Sequence, residues 1–152
     1  MIRVLFVCHG NICRSPMAES VMAYMLKNCG MDGFVEVASA ATSDEEIGNP
    51  VHHGTVNMLK RQGIPLIPHR AVQMRRSDYG KYDYIIGMDD WNARNILRII
   101  SGDSQGKVYS LLDFSEHPRP IADPWYTGDF VSAYNDIKEG CEALLKKIKE
   151  EV

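Results

Sequence analysis

The chain has 152 residues, of which 45% are hydrophobic and 24% are charged, so it can bury one sizeable core and is not expected to be disordered. Its 17 Lys and Arg residues against 20 Asp and Glu residues give a formal charge of −3, which lacks the basic surplus that nucleic-acid binders direct at phosphate backbones. We therefore expect a single domain over residues 1–152 that binds no nucleic acid.

The first part of the chain alternates predicted strands and helices. An apolar run over residues 2–7 has the length and composition of a strand buried on both faces. Ser15 followed by Pro16 is typical of a helix start, because Ser can cap a helix and Pro is tolerated in its first turn. Gly30 is a natural stop for this helix. A second strand over residues 34–40 and a helix over residues 52–61 follow.

The rest of the chain continues the alternation. Residues 84–88 form a buried apolar run, and Asp89 is placed to cap a helix that extends to about Ile100. A short strand is predicted over 107–111, a loop over 112–128, and a closing helix from Phe130 to Ile148 with one apolar stripe. Strands that alternate with helices in this way predict a parallel α/β sheet.

The N-terminal segment and the cysteines indicate a cytoplasmic chain. The opening apolar run has no secretory cleavage site after it, and no apolar stretch is long enough to cross a membrane. The cysteines are too few for a disulfide scaffold and match no zinc-binding spacing; they are Cys8, Cys13, Cys29 and Cys141. We expect a reducing compartment, no metal and no membrane partner.

Cys8 and Arg14 form a C-x5-R pattern between the first predicted strand and the first predicted helix. Open α/β sheets bind ligands at this point, where backbone N–H groups and the helix N-terminus favour an anion. Gly10 and Asn11 tolerate the positive φ angles that such a loop needs. A thiolate here is a nucleophile, and Arg14 can grip two phosphoryl oxygens. The pattern predicts phosphoryl transfer to sulfur.

Residues 7–16, Val-Cys-His-Gly-Asn-Ile-Cys-Arg-Ser-Pro, resemble the signature loop of the low-molecular-weight protein tyrosine phosphatases, and the likeness extends nearly end to end. The resemblance implies a three-layer α/β sandwich with a four-stranded parallel sheet flanked by helices. It also implies an enzyme without metal or cofactor, with the phosphate-binding loop between the first strand and the first helix. The residues of that loop would be Cys8, His9, Gly10, Asn11, Ile12, Cys13 and Arg14.

Asp123 lies in the predicted loop after the last strand, in the run Asp-Pro-Trp-Tyr. A phosphatase needs an acid because the departing oxygen is a poor leaving group, and protonation of that oxygen is typically worth about 10²–10⁴-fold. The run resembles the acid loop of the same family. The resemblance makes Asp123 the general acid and then the base that activates water, with Trp125 as a wall of the cleft and Tyr126 beside it.

The resemblance also assigns supporting residues. The hydroxyl of Ser15 would hydrogen-bond the thiolate, cap the helix, or do both. Asn11 would brace the loop with help from Ser39 and His69, and Asp89 is expected to be the partner of His69. Cys13 would trap an oxidised Cys8 as a reversible disulfide, a redox role that competes with its being only a small loop residue.

Residues 40–50 resemble the family's variable loop over the cleft, which would place Glu45, Glu46 and Asn49 beside the substrate. The family often has an aromatic residue at the position of Glu45, and a carboxylate cannot stack on a phosphotyrosine ring and repels acidic peptides. Glu45 can equally be a solvated loop charge. A threonine replaces Ile12 in the branch that acts on phosphoarginine, so Ile12 favours phosphotyrosine.

The resulting prediction is a monomeric cytoplasmic phosphatase that hydrolyses phosphotyrosine in a protein, or a small aryl phosphate, through a cysteinyl phosphate. Three alternatives remain at this level: a phosphatase for small metabolites or phosphoarginine, a thiol-linked arsenate reductase, and a phosphate-binding module without turnover. The reductase passes oxidation to downstream cysteines, and residues 78–100 contain none.

Overall fold

The computed structural model describes all 152 residues and contains one four-stranded, fully parallel sheet in the order β2-β1-β3-β4. The strands are β1 Ile2–Cys8, β2 Val35–Ala41, β3 Tyr84–Gly87 and β4 Val108–Ser110. The helices are α1 Arg14–Asn28, α2 His53–Arg61, α3 Asp90–Ile100, α4 Pro124–Thr127 and α5 Phe130–Glu151, with 3-10 turns at Arg76–Gly80 and Leu111–Phe114. The predicted parallel α/β sheet is confirmed.

Strand β1 lies in the middle of three layers. Its alternate side chains point to opposite faces of the sheet. Val4 and Phe6 join the larger core, which α1 and α5 cover, whereas Leu5 and Val7 join the smaller core, which α3 covers. A strand that is covered on both faces needs an unbroken apolar run, and this is the pattern that the sequence shows over its first residues.

The carboxyl end of β1 is the point at which the chain changes direction across the sheet. The connection after β1 leads to β2 on one side, and β3 pairs with the other side of β1. Crevices at such switch points bind ligands in open α/β folds. Cys8 is the last residue of β1, and α1 begins six residues later at Arg14.

Two local predictions need correction. Helix α1 begins at Arg14 with Cys13 as its N-cap residue and without a side-chain cap, because the Ser15 hydroxyl is engaged elsewhere. The predicted loop over 112–128 contains the one-turn helix α4, whose first N–H groups are capped by Asp123.

The predicted cap of α3 is confirmed, since the Asp89 carboxylate accepts the backbone N–H of Asn92. None of the helices is both long enough and apolar enough to span a bilayer.

Candidate active site

The thiol of Cys8 lies among hydrogen-bond donors at the start of α1. The backbone N–H of Asn11 points at Sγ from 3.3 Å, and the hydroxyl oxygen of Ser15 lies 3.0 Å from the same sulfur. The amide of Asn11 donates to that hydroxyl at 2.8 Å, which leaves the Ser15 proton free to point at the sulfur. These donors stabilise negative charge on Sγ.

Asn11 organises the loop from a backbone conformation that few residues adopt, with φ at +59°. Its amide nitrogen also donates to Ser39 Oγ at 3.0 Å. Its oxygen accepts the Val72 N–H at 3.1 Å and the Nε2–H of His69 at 2.6 Å. The contacts expected of Ser39 and His69 are therefore present. Burial lowers the pKa of His69, so its ring is neutral around pH 7.

The expected positive φ at Gly10 is wrong, because Asn11 alone makes the left-handed turn in this loop. The loop that crosses the cleft approaches Gly10 only to ordinary van der Waals distance. A Cβ built there would lie 3.4 Å from Cγ of Glu46, which belongs to the loop crossing over the cleft.

Arg14 is 2% exposed and has carboxylate partners on two sides. One terminal nitrogen, Nη1, donates to Asp89 at 2.7 Å and to the Ile121 carbonyl at 2.8 Å, while Nη2 lies 3.4 Å from Asp123. The expected pairing of Asp89 with His69 is wrong. A buried guanidinium requires a nearby anion, whereas the His69 ring is already bonded to the loop.

Arg14 keeps its positive charge although it is buried. Burial alone would lower the pKa of Arg14, but Cys8, Asp89 and Asp123 outweigh burial and raise that pKa. The remaining donor, Nε–H, is buried and has no partner in the protein. A buried donor without a partner is costly, so Nε and Nη2 together form a fork suited to two oxygens of an oxyanion.

Asp123 belongs to the Asp123 segment, residues 121–128, which is anchored by backbone bonds. The Ile121 N–H donates to the Met88 carbonyl at 2.9 Å, which ties the segment to the end of β3. One Asp123 oxygen accepts the Trp125 N–H at 3.1 Å, and the other is the oxygen near Arg14. The carboxyl group thus faces the same space as the thiol.

That space, the Cys8 cleft, has a volume of about 220 Å³. Trp125 and Tyr126 stand at its rim, 54% and 79% exposed, and the imidazole of His9 pairs with Glu45. Asn49 is not a lining residue, because its amide is turned to the Glu46 carboxylate. The lining residues are Cys8, His9, Gly10, Ile12, Cys13, Glu45, Glu46, Asp123, Trp125 and Tyr126.

Glu19 is a buried member of the site that the sequence interpretation missed. The Ser39 hydroxyl donates to its carboxylate, which adds a charged group behind the loop network. Burial raises the pKa of Glu19, and the hydrogen bond from Ser39 partly opposes this shift. No local pattern marks Glu19 as buried, because the first turns of α1 are covered on all sides by the rest of the protein.

No other cavity offers comparable chemistry. A larger, more open groove of about 590 Å³ between α1 and α5 is lined by apolar, amide, lysine and tyrosine side chains with one glutamate, and by no cysteine or histidine. Nowhere in the chain do three or more His, Cys, Asp or Glu side chains converge to hold a metal ion.

The family model described as low molecular weight phosphotyrosine protein phosphatase matches residues 3–152. The chain belongs to this family. As a member it is a protein tyrosine phosphatase, a hydrolase whose substrates are phosphoproteins. The expected fold and reaction class are therefore confirmed.

Three relatives illustrate the range of likeness. The low molecular weight protein-tyrosine-phosphatase YfkJ of Bacillus subtilis is 40% identical, over 99% of this chain and 98% of its own. Its crystal structure superposes with a TM-score of 0.96 over 99% and 96% of the two chains. The PtpA phosphatase of Staphylococcus haemolyticus is 39% identical over 95% and 92%. The Drosophila arginine phosphatase DARP is 27% identical, with a TM-score of 0.89 over 97% and 98%.

Proposed function

We propose that the chain hydrolyses phosphotyrosine monoesters through a phosphorylated Cys8. The supporting observation is that three complementary groups meet at one cleft: two of them line it, and the third, Arg14, lies behind them with Nη2 3.4 Å from Asp123. The three groups are the Cys8 sulfur with its two donors, the Arg14 fork with its unpartnered Nε–H, and the Asp123 carboxyl group. A site that only bound phosphate would need neither a nucleophile nor an acid.

In the first step the Arg14 fork and the loop N–H groups hold the equatorial oxygens of the phosphoryl group above Cys8. The sulfur attacks phosphorus, so the S–P bond forms while the bond from phosphorus to the tyrosyl oxygen breaks. Asp123 gives its proton to that departing oxygen. Arg14 supplies the positive charge that a metal ion supplies in other phosphatases.

In the second step the Asp123 carboxylate takes a proton from a water molecule, whose oxygen attacks phosphorus. The S–P bond breaks, inorganic phosphate leaves, and the sulfur recovers its electron pair. The Ser15 hydroxyl and the Asn11 N–H are placed to stabilise that returning charge, at 3.0 and 3.3 Å. The same two donors therefore serve the thiolate as nucleophile and as leaving group.

The residues that line the cleft influence which class of substrate it can accept. Trp125 offers a flat, half-exposed face on which an aromatic leaving group can stack. Ile12 adds an apolar side chain to the lining of the cleft, which suits a phenyl ring better than a guanidinium. Glu45 presents a carboxylate paired with His9 where an aromatic residue would supply a second stacking face. Small aryl phosphates therefore remain a second candidate substrate class.

The arsenate reductase alternative is disfavoured by the positions of the other cysteines. Cys29 follows the C-terminal end of α1, and the 15 residues of that helix separate it from the Cys8 loop by about 22 Å. Cys141 is fully buried in the core of the sheet and helices. Neither thiol is placed to accept oxidation from Cys8.

The proposed substrate class is tested by a panel of hydrolysis rates. With EDTA and a reductant present, kcat/KM for a phosphotyrosine peptide should exceed that for the matched phosphoarginine peptide by about tenfold or more, since one well-placed apolar contact is worth about 1–3 kcal/mol. Ile12→Thr should shrink this ratio by lowering the phosphotyrosine value. A preference for phosphoarginine in the unaltered protein, or a clear preference for free phosphotyrosine over the peptide, would contradict the proposal.

We also propose a redox role for Cys13. A peroxide oxidises the Cys8 thiolate to a sulfenic acid, and the Cys13 sulfur then displaces the hydroxyl as water to form the disulfide. Burial, and then the charge of Cys8, raises the pKa of Cys13 to about 12. Cys13 is therefore a protonated thiol at neutral pH. Oxidation of Cys8 removes the second of these causes, which favours the trapping step.

This role predicts a difference in recovery after oxidation. Peroxide should inactivate the protein and Cys13→Ser at similar initial rates, because both keep Cys8. Dithiothreitol should then restore most activity to the protein and much less to Cys13→Ser, in which the sulfenic acid proceeds to irreversible acids. Equal recovery in both would refute the role of Cys13. The exposed Cys29, replaced by Ser, is the matched control and should recover like the unaltered protein.

The finer predictions on cellular context stay predictions. The need for a reduced Cys8 suits the cytoplasm, and we propose that location on this ground. The single domain rests on the length of the chain and the absence of nucleic-acid binding on its acidic charge, while the monomeric state stays a prediction.

A further inference from the structure

An aromatic cluster joins the N-terminus of α2 to the Asp123 segment. The ring of His52 stacks on Phe130 with centroids 5.3 Å apart and planes 14° apart. The Trp125 ring makes a T-shaped contact with the same imidazole, with centroids 5.5 Å apart and planes 80° apart. Phe130 is the first residue of α5, two residues after the Asp123 segment ends. His52 therefore touches the chain both inside this segment and directly beyond it.

The backbone of His52 is tied to the phosphate-binding loop. Its N–H donates to the Ile12 carbonyl at 2.8 Å, and its Nδ1 accepts the Gly54 N–H at 3.0 Å as the cap of α2. One residue thus contacts the loop that holds the thiol, the start of a helix, and the chain both within and directly after the segment that carries Asp123.

The packing around Phe130 leaves little room for adjustment. A Cβ built on Gly54 would lie 2.3 Å from the Phe130 ring, so α2 approaches this ring as closely as a glycine allows. On the other side, the N–H of Trp125 donates to the Asp123 carboxylate at 3.1 Å. A displacement of Trp125 is therefore transmitted to the carboxyl group by a direct hydrogen bond.

We propose that His52 is a positioning residue for the general acid: its ring holds Trp125 and Phe130, and through them fixes the Asp123 carboxyl group over the thiol. The proposal rests on the role of Asp123 proposed above. Small misplacements of a catalytic group cost large factors in rate, so a ring that restrains this segment affects the steps in which Asp123 transfers a proton.

The charge state of His52 suits this role. Burial lowers the pKa of His52, His53 lowers it further, and Glu46 opposes both. The neutral ring is also the one whose Nδ1 can accept the Gly54 N–H. Near pH 7 the imidazole therefore both caps α2 and packs on Phe130.

Two substitutions separate the ring from the cap. His52→Asn keeps an acceptor for the Gly54 N–H and removes the ring, whereas His52→Phe keeps a ring and removes the acceptor. We expect His52→Asn to lower kcat/KM, which reports on cleavage of the ester bond, by about tenfold for phenyl phosphate, whose phenolate is a poor leaving group, and by less than about twofold for para-nitrophenyl phosphate. His52→Phe should keep most of the kcat/KM for phenyl phosphate that His52→Asn loses. Phe130→Leu, which shrinks the cluster from its other side, should reproduce the loss.

Controls make each result decisive. His53→Asn removes an adjacent imidazole that stacks on His52 but not on Trp125 or Phe130, and should leave both rates unchanged. In a Trp91→Phe background Trp125 is the single tryptophan, and acrylamide should quench it faster after His52→Asn but not after His52→Phe. This readout does not depend on catalysis.

The proposal is overturned if His52→Asn lowers kcat/KM equally for both esters or if His52→Phe behaves like His52→Asn. It is also overturned if acrylamide quenches Trp125 at the same rate with and without His52→Asn. If His52→Asn fails to fold, Phe130→Leu and His52→Phe decide the question by the same criteria. Failure of the proposed function has a different signature, since Asp123→Asn would then lower kcat/KM for both esters alike.

Discussion

Cys8→Ser should lower phosphotyrosine turnover by about 10⁴-fold or more, the scale on which loss of a nucleophile acts in enzymes of this kind. A serine hydroxyl is not ionised at neutral pH and cannot replace a thiolate in attack on phosphorus. The donors that hold phosphate remain, because the Asn11 N–H and the Arg14 fork do not depend on sulfur. We therefore expect inorganic phosphate to bind Cys8→Ser with at least the affinity shown by the unaltered protein, as measured by calorimetry.

The matched control for this substitution is Cys29→Ser. Cys29 lies at the far end of α1 and is exposed, so it tests whether loss of a thiol in general disturbs the protein. Its turnover should match that of the unaltered chain. Turnover retained by Cys8→Ser would refute the mechanism, and loss of phosphate binding in that variant would show that the sulfur is needed for the shape of the loop.

Asp123→Asn should lower kcat/KM, which reports on cleavage of the ester bond and not on the later attack of water, by about 10²-fold or more for phenyl phosphate and much less for para-nitrophenyl phosphate. The poor leaving group needs a proton, whereas the activated one departs as a stable anion. Asparagine can still accept the Trp125 N–H as the cap of α4, so this change removes the proton without removing the cap. Rates for a series of aryl phosphates measure the dependence on leaving group.

Two further variants separate acid chemistry from helix capping. Asp123→Ala removes both functions, and any excess loss over Asp123→Asn measures the cap. Asp129→Asn changes the carboxylate that caps α5, six residues along the chain, and should leave the leaving-group dependence unchanged. An equal loss of kcat/KM for the two esters in Asp123→Asn would show that Asp123 is not the acid.

The order of the strands and helices could be predicted from sequence because short stretches of neighbouring residues determine it. The unbroken apolar run of β1 and the cap at Asp89 are both properties of a few neighbouring residues. The Cys8 loop was found for the same reason, since its residues are contiguous. The one-turn helix α4 was missed because three prolines in residues 112–128 favour a loop, although its Asp123 cap and the proline in its first turn are local signals.

The contacts between distant residues could not be predicted from sequence. Asp89 was expected beside His69 but bonds Arg14, because β3 pairs with β1 and its carboxyl end therefore lies beside the loop that leads to α1. The burial of the whole start of α1 is likewise a property of the fold and not of a local pattern. The first turns of this helix are buried all round, which is why Glu19 lies inside the protein. The contact of His52 with Trp125 joins residues 73 positions apart, and no local pattern marks it.

The most direct test is to trap the covalent intermediate. The protein is mixed with excess para-nitrophenyl phosphate, quenched in acid within the first turnovers and digested, and the peptide that contains Cys8 is analysed by mass spectrometry. The account predicts one added phosphoryl group on Cys8, with a higher occupancy in Asp123→Asn, in which water is no longer activated. Turnover without phosphate on Cys8, or with phosphate on another residue, would contradict it.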